Sequence, residues 1–193
     1  MLCKKLHHAA FRCRDARATV EFYTDVLKLK FSHAMGEDNV PSTGLYSPHI
    51  HIFLEMEDGS SIAFFEVPGD PGEMKDLTSP DWIQHFAFEV ESVEVLLKAK
   101  AEMEAKGVSV IGPTDHDGFI RSIYFFDPSG HRLELTTRTA PPERLLEFEA
   151  EAPAVLALWD QTHDWSRRAE LWGGDKGYLR PAPAGDGPVG AAS

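Results

Sequence analysis

One octapeptide pattern occurs twice in this chain, and no other feature narrows the possible folds as much. The first copy reads His8-Ala9-Ala10-Phe11-Arg12-Cys13-Arg14-Asp15 and the second His85-Phe86-Ala87-Phe88-Glu89-Val90-Glu91-Ser92. Each opens a strand-like run with a His, places an aromatic residue three positions on, and ends on a residue suited to cap a helix. Asp15 and Ser92 fit that cap because their side-chain oxygens accept from free N–H groups of the first turn. Apolar residues then recur at helical spacing. They are Val20, Tyr23, Val26 and Leu27 in the first copy and Val93, Leu96, Leu97 and Met103 in the second, where Lys106-Gly107 supplies the stop. Strand-like segments complete each copy at 28–35, 49–57 and 61–67, then at 108–112, 120–126 and 132–138. Asp58-Gly59 and Ser129-Gly130 read as matching hairpin turns.

The expected fold is therefore α+β. Two βαβββ modules, 5–67 and 82–138, form a curved, barrel-like mixed sheet around a metal cavity within one domain, 1–140. The linker between them is rich in Pro and Gly. A C-terminal helical extension is expected over 141–172, begun by Pro141-Pro142 and bent or broken at Pro153. A flexible, Gly/Pro/Ala-rich tail is expected over 173–193. Trp159, His163, Trp165 and Trp172 read as a packing or dimer contact.

Charge excludes some partners. Against 31 acidic residues stand 19 Lys and Arg, a formal charge of −12, so nucleic acid and anionic membrane surfaces are repelled. No apolar run approaches the roughly 20 residues of a membrane span. The opening residues lack the apolar core of a secretory signal. Two cysteines, Cys3 and Cys13, make no disulfide framework and fit a reducing cytoplasmic setting.

Strand alternation then selects the residues that share a face. If His85 points into the cavity, Ala87 and Glu89 do too, while Phe86 and Phe88 pack on the helix. By the repeat, His8 and Ala10 also point in, and His7 points away. Counting from the turns, Gly130 plus four is Glu134, whereas Gly59 plus four is Ala63. Gly130 minus six is Tyr124 and Gly59 minus six is Phe53, whose parity His51 shares. Glu66 has the opposite parity and is set aside, and His131, beside a turn glycine, is read as exposed. A single strand-opening His is usually structural. Two at equivalent places, with a carboxylate interrupting an apolar strand, point instead to a cation, because an unpaired inward Glu is costly to bury. His8, His85 and Glu134 form a two-His, one-carboxylate set that suits Fe(II) first, with Mn, Zn, Ni or Co as alternatives.

Residues 5–138 resemble the vicinal-oxygen-chelate superfamily, which includes glyoxalase I, type I extradiol dioxygenases, fosfomycin-resistance proteins, methylmalonyl-CoA epimerase and bleomycin-binding proteins. A sharper resemblance, to extradiol ring-cleavage dioxygenases, lies in Thr114-Asp115-His116, Ile123-Tyr124, Asp127-Pro128-Ser129-Gly130 and Glu134. It implies Glu134 as a metal ligand, with Tyr124 and His116 lining the substrate site. Ala63 stands where glyoxalase I has a second metal-binding Glu. Ser60 stands where extradiol enzymes keep their acid/base His, so His116, or else His51, is expected to take that role.

The expected activity is ring cleavage of a catechol or related vicinal-oxygen substrate. The alternatives are a glyoxalase- or epimerase-like lyase or isomerase acting through an enediolate, and a metal-free drug-binding protein like the bleomycin-resistance members. A homodimer is expected, with a small molecule as the other partner.

Overall fold

The computed structural model describes residues 2–70, 72–116 and 118–163. The first module runs β1 (His8–Arg12), α1 (Ala16–Asp25), β2 (Lys30–Asn39), β3 (Tyr46–Glu55) and β4 (Ser61–Glu66). The second runs β5 (His85–Glu89), α2 (Val93–Ala105), β6 (Ile111–His116), β7 (Ile120–Phe126) and β8 (Arg132–Arg138). Both are βαβββ, as the repeat requires. Each forms its own four-stranded sheet, in the orders β1-β4-β3-β2 and β5-β8-β7-β6. The mixed sheet expected from the paired modules is built as two four-stranded sheets, and β1 and β5 each lie at a sheet edge. In both, the first strand pairs in parallel with the last and the other pairings are antiparallel.

The local signals act as their chemistry dictates. The Asp15 carboxylate accepts from the Ala18 N–H at 2.8 Å and the Ser92 hydroxyl from the Val95 N–H at 3.3 Å, so each caps the helix that follows. Glu66 is also spent on a helix start, accepting from the Ala16 N–H at 2.6 Å. Gly59 and Gly130 take left-handed φ values of 76° and 86°, which a side chain would oppose. Three strands depart from expectation: β2 runs on to Asn39, β3 starts at Tyr46, and β6 begins at Ile111 and carries on to His116, through Pro113. Proline cannot donate to a ladder, but β6 is an edge strand, where a missing donor costs little.

The helix-facing sides of both sheets pack into one core, with Tyr23, Ile52, Leu54, Phe64, Leu96, Ile123, Phe125 and Leu133 at its centre. A polar joint between the modules forms at the Asp127–His131 turn. Tyr23 donates its hydroxyl to Asp127 at 3.1 Å, the Arg14 N–H donates to the Ser129 hydroxyl at 3.0 Å, and the His131 ring donates through Nε2 to the Arg12 carbonyl at 2.7 Å. His131, expected at the surface, is only 4 % exposed, its ring lying against Phe11, Phe64 and Phe86. Its one turn-side neighbour, Gly130, suggested exposure, but the docking of the other module covers it. Burial pushes the Asp127 carboxyl upward, against the opposing pull of His131 and the turn amides, and burial first, then Asp127, raises the Tyr23 hydroxyl well above its ordinary value.

The C-terminal helix α3 (Pro142–Thr162) starts on the proline pair and runs unbroken past Pro153. That proline removes the one amide that would bond the carbonyl of Glu149, and the helix on either side persists. Leu158 is buried, Phe148 lies 5.2 Å from Phe119 ring to ring, and Trp159 stacks on His163. Residues 164–172 of the expected extension, with Trp165 and Trp172, and the expected tail at 173–193 lie outside the described residues. No described helix is long and apolar enough to cross a membrane.

The turn joint yields a graded stability prediction. Tyr23→Phe removes one hydrogen bond to a charged group and should cost about 1.5–3 kcal/mol. Asp127→Ala also strands the Ser129 and His131 amides, which both donate to its Oδ1 at 2.9 Å, and should cost more, about 3–5 kcal/mol. Urea midpoints of the two variants check the order.

Candidate metal centre

The ladders set which side chains meet on the sheet faces turned away from the helices. In the second sheet Ala87, Glu134 and Tyr124 lie in one cross-strand row, and His85 pairs with Arg132 one step along the same face. In the first sheet the same row is Ala10, Ala63 and Phe53. The two modules are thus in the same internal register, with Glu134 standing where the first has Ala63 and Tyr124 where it has Phe53.

His85 and Glu134 meet. The Glu134 carboxylate is 4 % exposed, and one of its oxygens lies 2.9 Å from His85 Nε2. The other ring nitrogen, His85 Nδ1, is 3.0 Å from the Ile83 carbonyl. A carbonyl only accepts, so Nδ1 carries the hydrogen and Nε2 presents its lone pair toward the carboxylate unless a cation or a second proton stands between them. A ring nitrogen fixed in this way by its other nitrogen is the usual arrangement of a metal-bound imidazole. The donor set, one imidazole nitrogen and one carboxylate oxygen, suits a divalent first-row ion.

Tyr124 and His116 extend this group across the sheet. His116 Nε2 is 2.7 Å from the Tyr124 hydroxyl. Burial first, then the neighbouring Glu134, raises the Tyr124 hydroxyl above its ordinary value, so it holds its proton at neutral pH. His116 ends strand β6 and is solvent-exposed.

His8 and His51 lie on the other sheet. His8 has ring neighbours His7, His51 and Phe53, at 5.1, 6.1 and 5.4 Å between centroids. His7, expected to point away, instead sets its Nδ1 2.8 Å from His8 Nδ1. His7 precedes β1, whose first residue is His8, and both are exposed, so strand alternation does not govern it. His51 is sandwiched by Phe65 at 3.7 Å and Phe53 at 4.2 Å, and its Nε2 is buried without a hydrogen-bond partner. Burial first, then the nearby His8, His49 and His33, pulls its pKa down to about 4, so it is neutral at physiological pH. Among the described residues no three His, Cys, Asp or Glu side chains converge on a point that could hold a metal. Within one chain, then, the six candidate residues fall into two groups: His85, Glu134, Tyr124 and His116 on one sheet, and His8 and His51 on the other.

The residue that sequence reasoning missed is Arg132. It shares the parity of Glu134, two positions away, and its guanidinium carbon sits 4.4 Å from the centroid of the Tyr124 ring. The alternation that selected Glu134 would have selected it too. It also lines, with His85, a cleft of about 610 Å³ beside the 73–84 linker.

If the pair on β5 and β8 holds a divalent ion, His85→Ala and Glu134→Ala should each lower bound metal at least tenfold, since each removes one of few donors. His33→Ala, on the far strand of the other sheet, should leave it unchanged. Elemental analysis of the purified proteins after dialysis against buffered metal checks this.

Comparison with known proteins places these features. Residues 5–135 match the model of the Glyoxalase/Bleomycin resistance protein/Dioxygenase superfamily. The uncharacterized protein YwkD of Bacillus subtilis (strain 168) is 32% identical over 137 residues, 70% of this chain and 98% of that protein. Among solved structures, the oxidase ChaP-H2 is 25% identical, with a TM-score of 0.50 over 71% of this chain and 95% of its own. A variant of the fosfomycin resistance protein FosX of Listeria monocytogenes, complexed with Mn(II) and 1S,2S-dihydroxypropylphosphonic acid, is 23% identical. It covers 75% of this chain and 99% of its own, with a TM-score of 0.52, and it attests the fold.

Proposed function

We propose, from the premise that this chain belongs to the Glyoxalase/Bleomycin resistance protein/Dioxygenase superfamily, that it is a metal-dependent, extradiol-type ring-cleavage dioxygenase. One divalent ion, Fe(II) first, is held by His85 and Glu134 of one module and by His8 of a module facing it. The observation that carries the reading is the 2.9 Å approach of His85 Nε2 to Glu134, with Nδ1 committed to a carbonyl, beside the hydrogen-bonded Tyr124–His116 pair.

The facing module belongs to a second copy of the chain. Within one chain the helix-facing sides of both modules are consumed in a shared core, while β1 and β5 keep free edges and exposed His8, Ala10, His85 and Ala87. A two-fold dimer that sets β1 of one copy beside β5 of the other closes both edges and brings His8 opposite the His85–Glu134 pair, twice.

A divalent ion held by His85, Glu134 and the facing His8 would supply Lewis acidity toward a vicinal-oxygen substrate. The remaining work falls to the side chains. Tyr124, kept protonated, hydrogen-bonds an oxygen of the substrate. His116 exchanges a proton with Tyr124 at one ring nitrogen and reaches solvent, so the pair forms a relay between the buried carboxylate region and water. Phe53, Phe65 and neutral His51 of the facing module present an aromatic surface against which a flat ring can stack. Both atoms of dioxygen enter the ring-opened product, so no external reductant is required.

Ala63 counts against a glyoxalase-like isomerase that uses a second carboxylate, because its module places an apolar, fully buried methyl at that position. Oxygen uptake with a panel of catechols separates the two readings. Ring cleavage consumes one dioxygen per catechol, and an isomerase consumes none. On the ring-cleavage reading, His116→Gln keeps its metal and loses about 10²–10⁴-fold in kcat, the range for removal of a general acid/base. A near-normal rate in that variant contradicts the relay.

A further inference from the structure

Arg132 is the residue on the metal-facing sheet that the proposed chemistry leaves unused. Its Cα partners that of His85 across β5 and β8, and it precedes Glu134 by two positions on the same face. Its guanidinium lies over the Tyr124 ring, and its Nε is buried without a hydrogen-bond partner. Among the described residues it forms no ion pair, and Glu134, two positions along that face, turns one carboxylate oxygen toward His85. A guanidinium cannot shed its charge, so a partly buried one with open donors calls for an anion.

The position indicates which part of a ligand supplies that anion. The guanidinium reaches back over the Tyr124 ring, in the same cross-strand row as Glu134, and Arg132 pairs directly with His85. A molecule whose vicinal oxygens sit at His85 and Glu134 therefore has its adjoining end beside Arg132. The cleft beside His85 and Arg132 gives that end room. The guanidinium fork matches a carboxylate with two parallel N–H···O bonds.

We propose that Arg132 anchors a carboxylate on the substrate, so the substrate class is a vicinally dioxygenated aromatic carboxylic acid rather than a neutral catechol. The inference rests on the metal-dependent reading above.

The test uses the Fe(II)-loaded protein under anaerobic conditions, so that binding is read without turnover. Calorimetry measures catechol and 3,4-dihydroxybenzoate against wild type, Arg132→Met and Arg132→Lys. Because the carboxylate also alters the intrinsic chelation of a catechol, the decisive quantity is the preference in wild type divided by that in Arg132→Met. A charge-assisted pair predicts a quotient of about 10 to 100, with catechol binding unchanged by either substitution and part of the preference kept by Lys. A quotient near one, with both probes still binding, overturns the role of Arg132 and leaves the metal reading intact. Equal weakening of both probes in Arg132→Met assigns the residue to support of Tyr124 and likewise overturns the proposal. Failure of both probes to bind wild type overturns the ring-cleavage reading and this inference with it, whereas binding of catechol alone overturns only the role of Arg132.

Discussion

The candidate centre depends on the parallel ladder between β5 and β8. That ladder is what sets a histidine at the start of one strand and a carboxylate inside another on one face, with their side chains 2.9 Å apart. Slipping it by one residue would turn Glu134 toward the apolar core and bring Leu133 or Leu135 to the surface. The apolar neighbours therefore hold the register as firmly as any polar contact does. Leu133 and Leu135 are buried against Phe86 and Phe88, and Glu134 sits between them with only one face on which to go. The antiparallel pairing to β7 then adds Tyr124 to the same row, and β6 brings His116 to the Tyr124 hydroxyl.

The first module uses the same register for another purpose. Where the second places Glu134 and Tyr124, the first places Ala63 and Phe53, and its His51 lies between Phe53 and Phe65. One copy of the repeat thus carries a buried carboxylate, a phenol and His116, and the other an apolar, aromatic surface with several imidazoles, His8 and His51 among them. Facing each other, the two halves are complementary in a way that two identical modules could not be. The docking of the Asp127–His131 turn onto Tyr23, Arg14 and Arg12 commits the helix sides to each other within the chain and leaves the two halves facing outward.

Much of this was legible in the sequence because it follows from two periods. The alternation of strands identified Glu134, Tyr124 and His51 from turn glycines alone, and the repeat named His8 and His85. Helix caps at Asp15 and Ser92 were readable because their mechanism is local. What escaped depends on contacts between elements distant in sequence. His131 is buried only because the other module covers it. His7 turns toward His8 at an exposed strand end. The β6 strand passes Pro113 only because it lies at an edge. The split of the candidate residues between two sheets was also beyond sequence reading. A repeat states that two modules exist and is silent on which faces they turn to each other.

The central claim is that one metal is held by His85 and Glu134 of one copy and His8 of another, and mixing two inactive variants tests it most directly. His8→Ala and Glu134→Ala proteins are each prepared metal-depleted, then unfolded and refolded together, and metal content is measured. Sharing across chains predicts that the separate variants bind little metal. The mixture should recover about one site in four, because about half of the dimers are mixed and each of these holds one intact site. A mixture that binds no more metal than its two components would contradict the account.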